Sequence, residues 1–237
     1  MRICSHQPSF FPWIGYWNKV ARSDLLIVSA GVKMDYGGYQ NRVQMNGTWW
    51  TAPVRKGSKH LPIKDVRFDP EGWEKALHTA RQALGGKRRR NGALVLEILD
   101  DTVARLGASG FLLDLNMAAF DAVSVALGLS VRVVVDEIEP DPDAGKTERL
   151  LTRVMRHARP GDTYLAGAGL LDYLSPAHWY CRLKLEVQGR PDDAVDSGTV
   201  LQLIACDQTP LETINAAFCW RPMDVRQDHS GDRPAFG

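Results

Sequence analysis

The sequence predicts an α/β protein with a largely parallel sheet flanked by helices and a β-hairpin near residues 43–54. Strand-like segments alternate along the chain with amphipathic segments of helical spacing. Asn46-Gly47 separates two strand-like segments and supplies the positive φ angles of a two-residue type I′ turn. The valine-rich run 131–135 is typical of a strand in a sheet that is covered on both faces.

The N-terminal half begins with a strand, a helix and a second strand. We predict a strand at Arg2–Ser5, which the prolines that follow bring to an end, then a helix at Trp13–Ala21 and a strand at Leu25–Ser29. After the hairpin, apolar residues recur at helical spacing in three stretches. These predict three amphipathic helices, which contain Trp73, Leu77, Ala80 and Leu84; Val95, Leu99, Val103 and Leu106; and Met117, Phe120, Val123 and Leu127.

The C-terminal half continues the same alternation. An acidic, proline-containing loop at 139–143 leads from the strand at 131–135 into a helix that carries Leu150, Leu151 and Val154. We then predict a strand at Thr163–Ala166 and a short helix at Thr213–Cys219. No change of composition marks a linker, so residues 1–222 are predicted to form one domain and residues 223–237 a loose tail.

Composition excludes several classes of protein. Hydrophobic residues make up 44% of the 237 and charged residues 24%, which is enough to close a core and excludes a disordered chain. The apolar runs are far shorter than the about 20 residues of a membrane-spanning helix, and no signal peptide is recognisable. The four cysteines form no Cys-x-x-Cys pair and the six histidines no i, i+4 pair. We therefore expect reduced thiols, no metal site, no membrane partner and a cytoplasmic location.

The net charge of +1 hides a local asymmetry. No acidic residue lies between Lys75 and Leu96, and this window contains the run Lys87, Arg88, Arg89 and Arg90. A second basic group includes Arg55 and Lys56, and the acidic residues concentrate at 136–143. Such segregation predicts a face that attracts phosphates, with the run at 87–90 as the expected nucleic-acid contact. The alternative interpretation is a solvated basic loop.

Gly145-Lys146-Thr147 resembles the end of a phosphate-binding P-loop between a strand and a helix. The position of the first glycine is occupied by Pro140, which can neither donate an amide hydrogen nor adopt the required φ angle. What remains is a helix N-terminus that can hold an anion, with Lys146 beside it. The preferred alternative is that Thr147 caps the helix.

The segment from His6 to Tyr16 combines polar, aromatic, proline and glycine residues at the end of the first strand. Open α/β sheets bind their ligands at the ends of strands. His6 is a candidate general base, because an ordinary histidine exchanges protons near neutrality, and Gln7 offers both a donor and an acceptor. The alternative for His6 is a buried histidine whose hydrogen bonds are satisfied within the core.

These residues carry a resemblance to the WbqC-like protein family. In the first third the matching segments are His6–Tyr16, Ser23–Ile27, Asn41-Arg42, Gly47–Trp50 and Pro53-Val54; further on they are Lys146–Leu151, Asp162–Gly167 and Asp172–Leu174. Two departures are the basic run at 87–90 and the reduction of the family's C-terminal Ser-Ile-Leu-Asp element to Pro210-Leu211-Glu212.

The resemblance implies a transferase. One branch resembles the phage amino acid:DNA transferases, which attach an amino acid to an activated 5-hydroxymethyl pyrimidine in DNA and release pyrophosphate. Other members are associated with O-antigen synthesis, where aminoacyl or glycyl transfer to an amino sugar is expected. No cofactor is implied, although a divalent cation could arrive bound to substrate pyrophosphate.

Roles for individual residues follow from this implied chemistry. The catalytic candidates are His6 as the base, Gln7 as an orienting group and Arg42 as the partner of an amino-acid carboxylate. The candidates for binding substrate, including the pyrophosphate, are Asn41, Arg55, Lys56, Lys146, Thr147 and Arg149.

Three functions remain open from the sequence, and amino-acid transfer to an activated pyrimidine in DNA ranks first because of the basic run at 87–90. Aminoacyl transfer to an amino-sugar nucleotide ranks second, since it requires only a concave site for a diphosphate and a sugar. A noncatalytic nucleic-acid-binding module ranks third, because a pI of 7.7 is low for such proteins. The expected partners are therefore a small amino acid and DNA.

Overall fold

The computed structural model describes residues 1–35, 37–58, 60–85, 89–172, 183–189 and 198–223. The strands in this part of the chain are β1 (Arg2–His6), β2 (Leu25–Ser29), β3 (Arg42–Met45), β4 (Thr48–Thr51), β5 (Arg132–Asp136), β6 (Thr163–Ala166), β7 (Lys184–Gln188) and β8 (Trp220–Met223). The helices are α1 (Ile14–Ala21), α2 (Pro70–Leu84), α3 (Gly92–Leu106), α4 (Leu112–Ala126), α5 (Lys146–Met155), α6 (Val200–Cys206) and α7 (Pro210–Ala216).

The main sheet has six strands in the order β5-β2-β1-β6-β7-β8. All neighbouring strands are parallel except β7 and β8, which are antiparallel. The carboxyl ends of β5, β2, β1, β6 and β7 therefore lie at one edge of the sheet. This architecture confirms the predicted α/β class and the largely parallel sheet.

Helices cover both faces of the sheet, because successive side chains of a strand point to opposite faces. Cys4, Leu26 and Val28 belong to the larger hydrophobic cluster, which also contains buried residues of α1 to α4. Ile3, Leu25 and Ile27 belong to a second cluster with Leu150 and Val154 of α5. The three amphipathic helices predicted between the hairpin and residue 127 are confirmed as α2, α3 and α4.

The predicted hairpin is confirmed as a separate two-stranded sheet of β3 and β4. Asn46 and Gly47 have φ angles of 50° and 74°, as a type I′ turn requires. Trp50 anchors the hairpin to the protein: its ring lies 4.6 Å from Phe10, and its Nε1 donates to the carbonyl of Ala76 at 2.8 Å. The inner face of the hairpin is thereby buried, and the outer face is exposed to solvent.

Two predictions about elements are corrected. The valine-rich run forms β5 of the main sheet, but this strand is not covered on both faces as its composition indicated: it lies at the edge of the sheet, and Arg132 and Val135 are exposed. The predicted last helix at Thr213–Cys219 instead runs from Pro210 to Ala216, because proline is favoured in the first turn of a helix. The strands β7 and β8 and the helix α6 were not predicted. Residues 224–237, almost all of the predicted tail, lie outside the described residues.

Candidate functional site

A cavity of about 440 Å³ opens at the carboxyl edge of the parallel strands. It lies where β1, β2 and β6 end, between α1 and α5. Open α/β sheets bind ligands in this position. The described residues that line it are Ser5, His6, Gln7, Lys19, Ser29, Lys146, Arg149, Leu150, Arg153, Tyr164, Ala166, Gly167, Gly169 and Leu170.

The cavity is cationic. Its described lining includes Lys19 of α1 together with Lys146, Arg149 and Arg153 of α5, and no described lining residue is acidic. The three α5 residues are spaced i, i+3 and i+7, which places them on one face of the helix. Lys146 is also the first residue of α5, so the positive end of the helix dipole adds to their charges. The arrangement is suited to a substrate with several negative charges.

Lys19 is the unusual cation of the site, because it is only 9% exposed. Burial lowers its pKa, since a desolvated ammonium is costly, and no described carboxylate lies within ion-pair distance of it. A Cβ added at Gly167 would lie 4.0 Å from its Nζ, so the backbone of the loop after β6 passes close to the ammonium. An anion that enters the cavity would supply the counter-charge that Lys19 lacks.

His6 is held at the end of β1 in one tautomer. Its Nδ1 lies 3.0 Å from the carbonyl oxygen of Gln7, which can only accept, so Nδ1 carries the proton and Nε2 keeps its lone pair. The ring packs edge-on against Tyr16 with centroids 4.9 Å apart. Burial, with a smaller contribution from the charge of Lys19, lowers the pKa of His6 to about 3. The imidazole is therefore neutral at pH 7 and presents a hydrogen-bond acceptor.

Three hydroxyl groups also line the cavity, those of Ser5, Ser29 and Tyr164. Ser5 Oγ and Tyr164 Oη are 2.8 Å apart and share a hydrogen bond. Ser29 is 1% exposed, and its Oγ has no hydrogen-bond partner among the described residues. Arg149 Nε is likewise buried without a hydrogen-bond partner among the described residues. The Nη2 atom of the same side chain donates to the carbonyl of Pro142 at 2.5 Å. Both residues line the cavity, so a ligand bound there could satisfy these two atoms.

Gln7 lines the cavity and is fixed by the loop before the hairpin. Its Oε1 accepts a hydrogen bond from Gln40 Nε2. Asn41, the next residue, is 7% exposed and donates from Nδ2 to the carbonyl of Ala52 at 3.0 Å. Asn41 thus bridges the ends of the two hairpin strands and is absent from the cavity lining.

Arg42 also lies outside the cavity lining, on the hairpin. Its guanidinium is 4.2 Å from the centroid of the Trp49 ring, and Nη2 donates to the carbonyl of Gly37 at 2.8 Å. Arg55 and Lys56 are exposed in the turn that follows the hairpin and do not line the cavity either. These three candidates therefore do not share a site with His6.

The start of α5 differs from the preferred sequence interpretation. Gly145 is the N-cap residue of α5, so Thr147 does not occupy the capping position that the sequence interpretation gave it. Thr147 is the second residue of the helix and is 5% exposed, because its position faces the interior while Lys146 faces the cavity.

The basic run at 87–90 is described only in its second half, and Lys87 and Arg88 lie outside the described residues. Arg89 reaches the hairpin turn, where its Nη2 is 3.4 Å from Asn46 Oδ1. Arg90 is exposed and lowers the pKa of Asp207 slightly, after the larger effect of the hydrogen bond from Thr213. Both described arginines lie outside the cavity lining.

The described residues contain no group of three or more histidine, cysteine or acidic side chains that could hold a metal ion. The helices described in this structure are also too short or too polar to cross a membrane.

Four of the predicted site residues line the cavity, namely His6, Gln7, Lys146 and Arg149. Five polar lining residues were not predicted from the sequence: Ser5, Lys19, Ser29, Arg153 and Tyr164. Arg153 could have been found from the i, i+7 spacing to Lys146, and Ser29 from its position at the end of β2. Lys19 carries no such signal, because only the tertiary structure places this part of α1 against the end of β1.

Comparisons with known proteins are consistent with the resemblance noted in the sequence. The sequence profile of the WbqC-like protein family matches residues 7–188. The chain is also similar to an uncharacterized protein of Mycobacterium tuberculosis, Rv1507c, with 24% identity over 178 residues that span 73% of this chain and 75% of that protein. No solved structure gives a significant match.

Proposed function

The chain belongs to the WbqC-like protein family, and we propose that it is a transferase that joins a small amino acid to a diphosphate-activated acceptor with release of pyrophosphate. The favoured acceptor is a pyrophosphorylated 5-hydroxymethyl pyrimidine in DNA, as in phage DNA hypermodification. The observation that carries this proposal is the cavity at the carboxyl edge of the sheet, with four cationic and no acidic side chains in its described lining.

A diphosphate is the ligand class that fits these cations best. Its charge is spread over several oxygens, and arginine and lysine bind phosphate oxygens through charge-assisted hydrogen bonds. Lys146, Arg149 and Arg153 approach from one helix and Lys19 from another, so a diphosphate would be held from two sides. The same cations would stabilise pyrophosphate as a leaving group, because they neutralise the charge that develops on its departing oxygen.

The reaction forms one bond and breaks one bond. The amine of the amino acid attacks the methylene carbon attached to the pyrimidine, and a C–N bond forms. The C–O bond to the diphosphate breaks, pyrophosphate leaves with the electron pair, and the new ammonium can release a proton.

His6 is the candidate group for binding and orienting the attacking amine. Its neutral Nε2 can accept a hydrogen bond from the attacking amine and orient the nitrogen lone pair toward the carbon. A histidine with a pKa of about 3 holds a proton poorly, so its main role would be orientation rather than storage of the proton. Bound diphosphate would offset the charge of Lys19 and raise the pKa of His6 toward its ordinary value.

A second, smaller cavity of about 150 Å³ is the proposed site of the amino acid. It shares Arg149 and Arg153 with the larger cavity and also contains the carboxylates of Asp141 and Glu148. Arg149 and Arg153, which line both cavities, can bind the amino-acid carboxylate, so that its amine would extend toward His6 in the larger cavity. The volume of about 150 Å³ is sufficient for a small amino acid such as glycine or serine.

Aminoacyl transfer to an amino-sugar nucleotide, from a donor with an activated carboxyl group, is the second candidate. It is favoured by the fact that the four cations lie within one cavity, which could hold a sugar diphosphate without any contact to a nucleic-acid backbone.

Nucleoside mass spectrometry tests the proposal and separates the two candidates. Purified protein is incubated with glycine or serine and DNA that carries pyrophosphorylated 5-hydroxymethyluracil, and in parallel with an amino-sugar nucleotide and an activated glycine donor. We expect an amino-acid adduct on the DNA, its loss in Lys19→Met, and its retention in Lys33→Met, a control at an exposed lysine outside the cavity. An adduct on the sugar nucleotide alone would replace the first candidate with the second.

A further inference from the structure

Two large aromatic side chains lie exposed on and beside the outer face of the hairpin. Tyr39 is 49% exposed and Trp49 45%, and their ring centroids are 5.9 Å apart at an angle of 51°. The next residue, Trp50, is 3% exposed and anchors the inner face of the hairpin. The fold therefore gains its packing from Trp50, and burial in the core does not explain Trp49.

A cation is fixed against this aromatic pair. The guanidinium of Arg42 lies 4.2 Å from the centroid of Trp49 and is held by the carbonyl of Gly37. Arg89 reaches the turn of the same hairpin through its contact with Asn46. Asp35 is bonded to the same loop, since its Oδ1 accepts a hydrogen bond from the amide of Gly37. With Arg42 and Arg89 against this one carboxylate, these described contacts are cationic on balance.

The aromatic pair is connected directly to the cavity. The amide of Phe10 donates to the carbonyl of Tyr39 at 2.9 Å, and Gln40 donates to Gln7, which lines the cavity. The loop that carries Tyr39 is thus tied to the segment that follows His6. A strand that occupied both the aromatic pair and the cavity would pass along this loop.

We infer that Tyr39, Trp49 and Arg42 form a stacking site for an unpaired DNA base next to the pyrimidine that enters the cavity. Exposed aromatic rings with neighbouring arginines bind single strands by stacking with bases and by pairing with phosphates. A base that undergoes chemistry must leave the duplex stack, and its unpaired neighbours then need a protein surface. This inference rests on the proposed transfer to DNA and identifies where the strand is held.

Fluorescence anisotropy with a labelled single-stranded oligothymidylate tests the stacking site. We expect Trp49→Ala and Tyr39→Ala each to weaken binding about tenfold, whereas Trp49→Phe, which keeps an aromatic ring, stays within about threefold of the native protein. Val125→Ala, which shortens an apolar side chain that is 67% exposed on α4, serves as the control and should bind as the native protein does. Circular dichroism verifies that each variant is folded.

The inference would be overturned if folded Trp49→Ala and Tyr39→Ala bound the oligothymidylate as tightly as the native protein does. It would also be overturned if the native protein did not bind the oligothymidylate. The transfer reaction is tested separately by mass spectrometry. A DNA adduct formed equally well by native protein and Trp49→Ala would reject the stacking site and leave the proposed function intact. Weakened strand binding in Trp49→Ala, without any adduct from the native protein, would support the stacking site and reject the transferase.

Discussion

Lys19 is the residue on which the chemistry of the cavity depends most. Lys19→Met should weaken the binding of inorganic pyrophosphate about tenfold, which corresponds to about 1.4 kcal/mol, because a charge in a desolvated site is poorly screened by water. Thermal stability should stay the same or rise, because a buried lysine costs free energy and no acidic residue of the described chain pairs with Lys19. Isothermal titration calorimetry measures the affinity, with Lys33→Met as the control. Equal affinities in the two variants would contradict the assignment of Lys19 to the anion site.

His6 should make the stability of the protein depend on pH. Its pKa is lowered to about 3 in the folded state, whereas the unfolded chain takes up the proton near the ordinary value of 6.5. Protons therefore bind the unfolded state preferentially below about pH 6.5, and stability is lost as the pH falls. Between pH 6.5 and about pH 5.5 this loss should amount to about 1 kcal/mol.

Urea unfolding at several pH values measures this effect. His6→Gln should show a correspondingly smaller loss between the same two pH values, while a variant of the exposed His60 should follow the native protein. Parallel curves for native protein and His6→Gln would show that His6 is protonated in the folded state too.

At the scale of elements, the hairpin depends on its turn. Gly47 has a φ of 74°, a conformation that residues with a Cβ rarely adopt. Gly47→Ala should lower the free energy of unfolding by about 1 kcal/mol, measured by urea denaturation, and Gly47→Asn should lower it less, since asparagine tolerates this region. The added Cβ meets no neighbour within 4 Å, so a loss shared equally by both variants would contradict the conformational explanation.

Local signals explain which elements could be predicted from the sequence. The turn at Asn46-Gly47 and the helical spacing in α2, α3 and α4 are encoded by near neighbours, and these predictions are confirmed. The position of β5 at the sheet edge depends on which strands pair with it, and a valine-rich run carries no such information. The shift of the last helix to Pro210–Ala216 reflects the start signal of a proline, which the spacing of apolar residues did not contain.

At the scale of the whole molecule, the site combines elements that are far apart in the sequence. His6, Lys19, Arg149 and Tyr164 come from β1, α1, α5 and β6 and meet only because the parallel sheet brings strand ends together. The strand-end rule could therefore predict His6 and Gln7 but not Lys19. Likewise, the sequence analysis gave both Arg42 and His6 catalytic roles, yet the fold places Arg42 on the hairpin, outside the cavity lining.

The basic residues on and near the hairpin should make the affinity for DNA depend on salt concentration. If Arg42, Arg89 and Arg90 contact the phosphates of a single strand, the logarithm of affinity should fall with the logarithm of salt concentration with a slope of about −2. Replacing Arg89 and Arg90 together by alanine should bring the slope about 1.4 closer to zero. Anisotropy titrations at several salt concentrations provide the slopes. A slope near zero for the native protein would exclude a strand held through its phosphates.

The most direct test of the proposed transferase is the stoichiometry of its reaction. Labelled glycine or serine is incubated with native protein and DNA that carries pyrophosphorylated 5-hydroxymethyluracil, and both incorporated label and released pyrophosphate are measured. We predict one pyrophosphate for each amino acid incorporated, and initial rates of both at least about tenfold lower with Lys19→Met. Incorporation without release of pyrophosphate, or no incorporation by the native protein into an intact activated acceptor, would contradict the assignment of the cavity to a diphosphate leaving group.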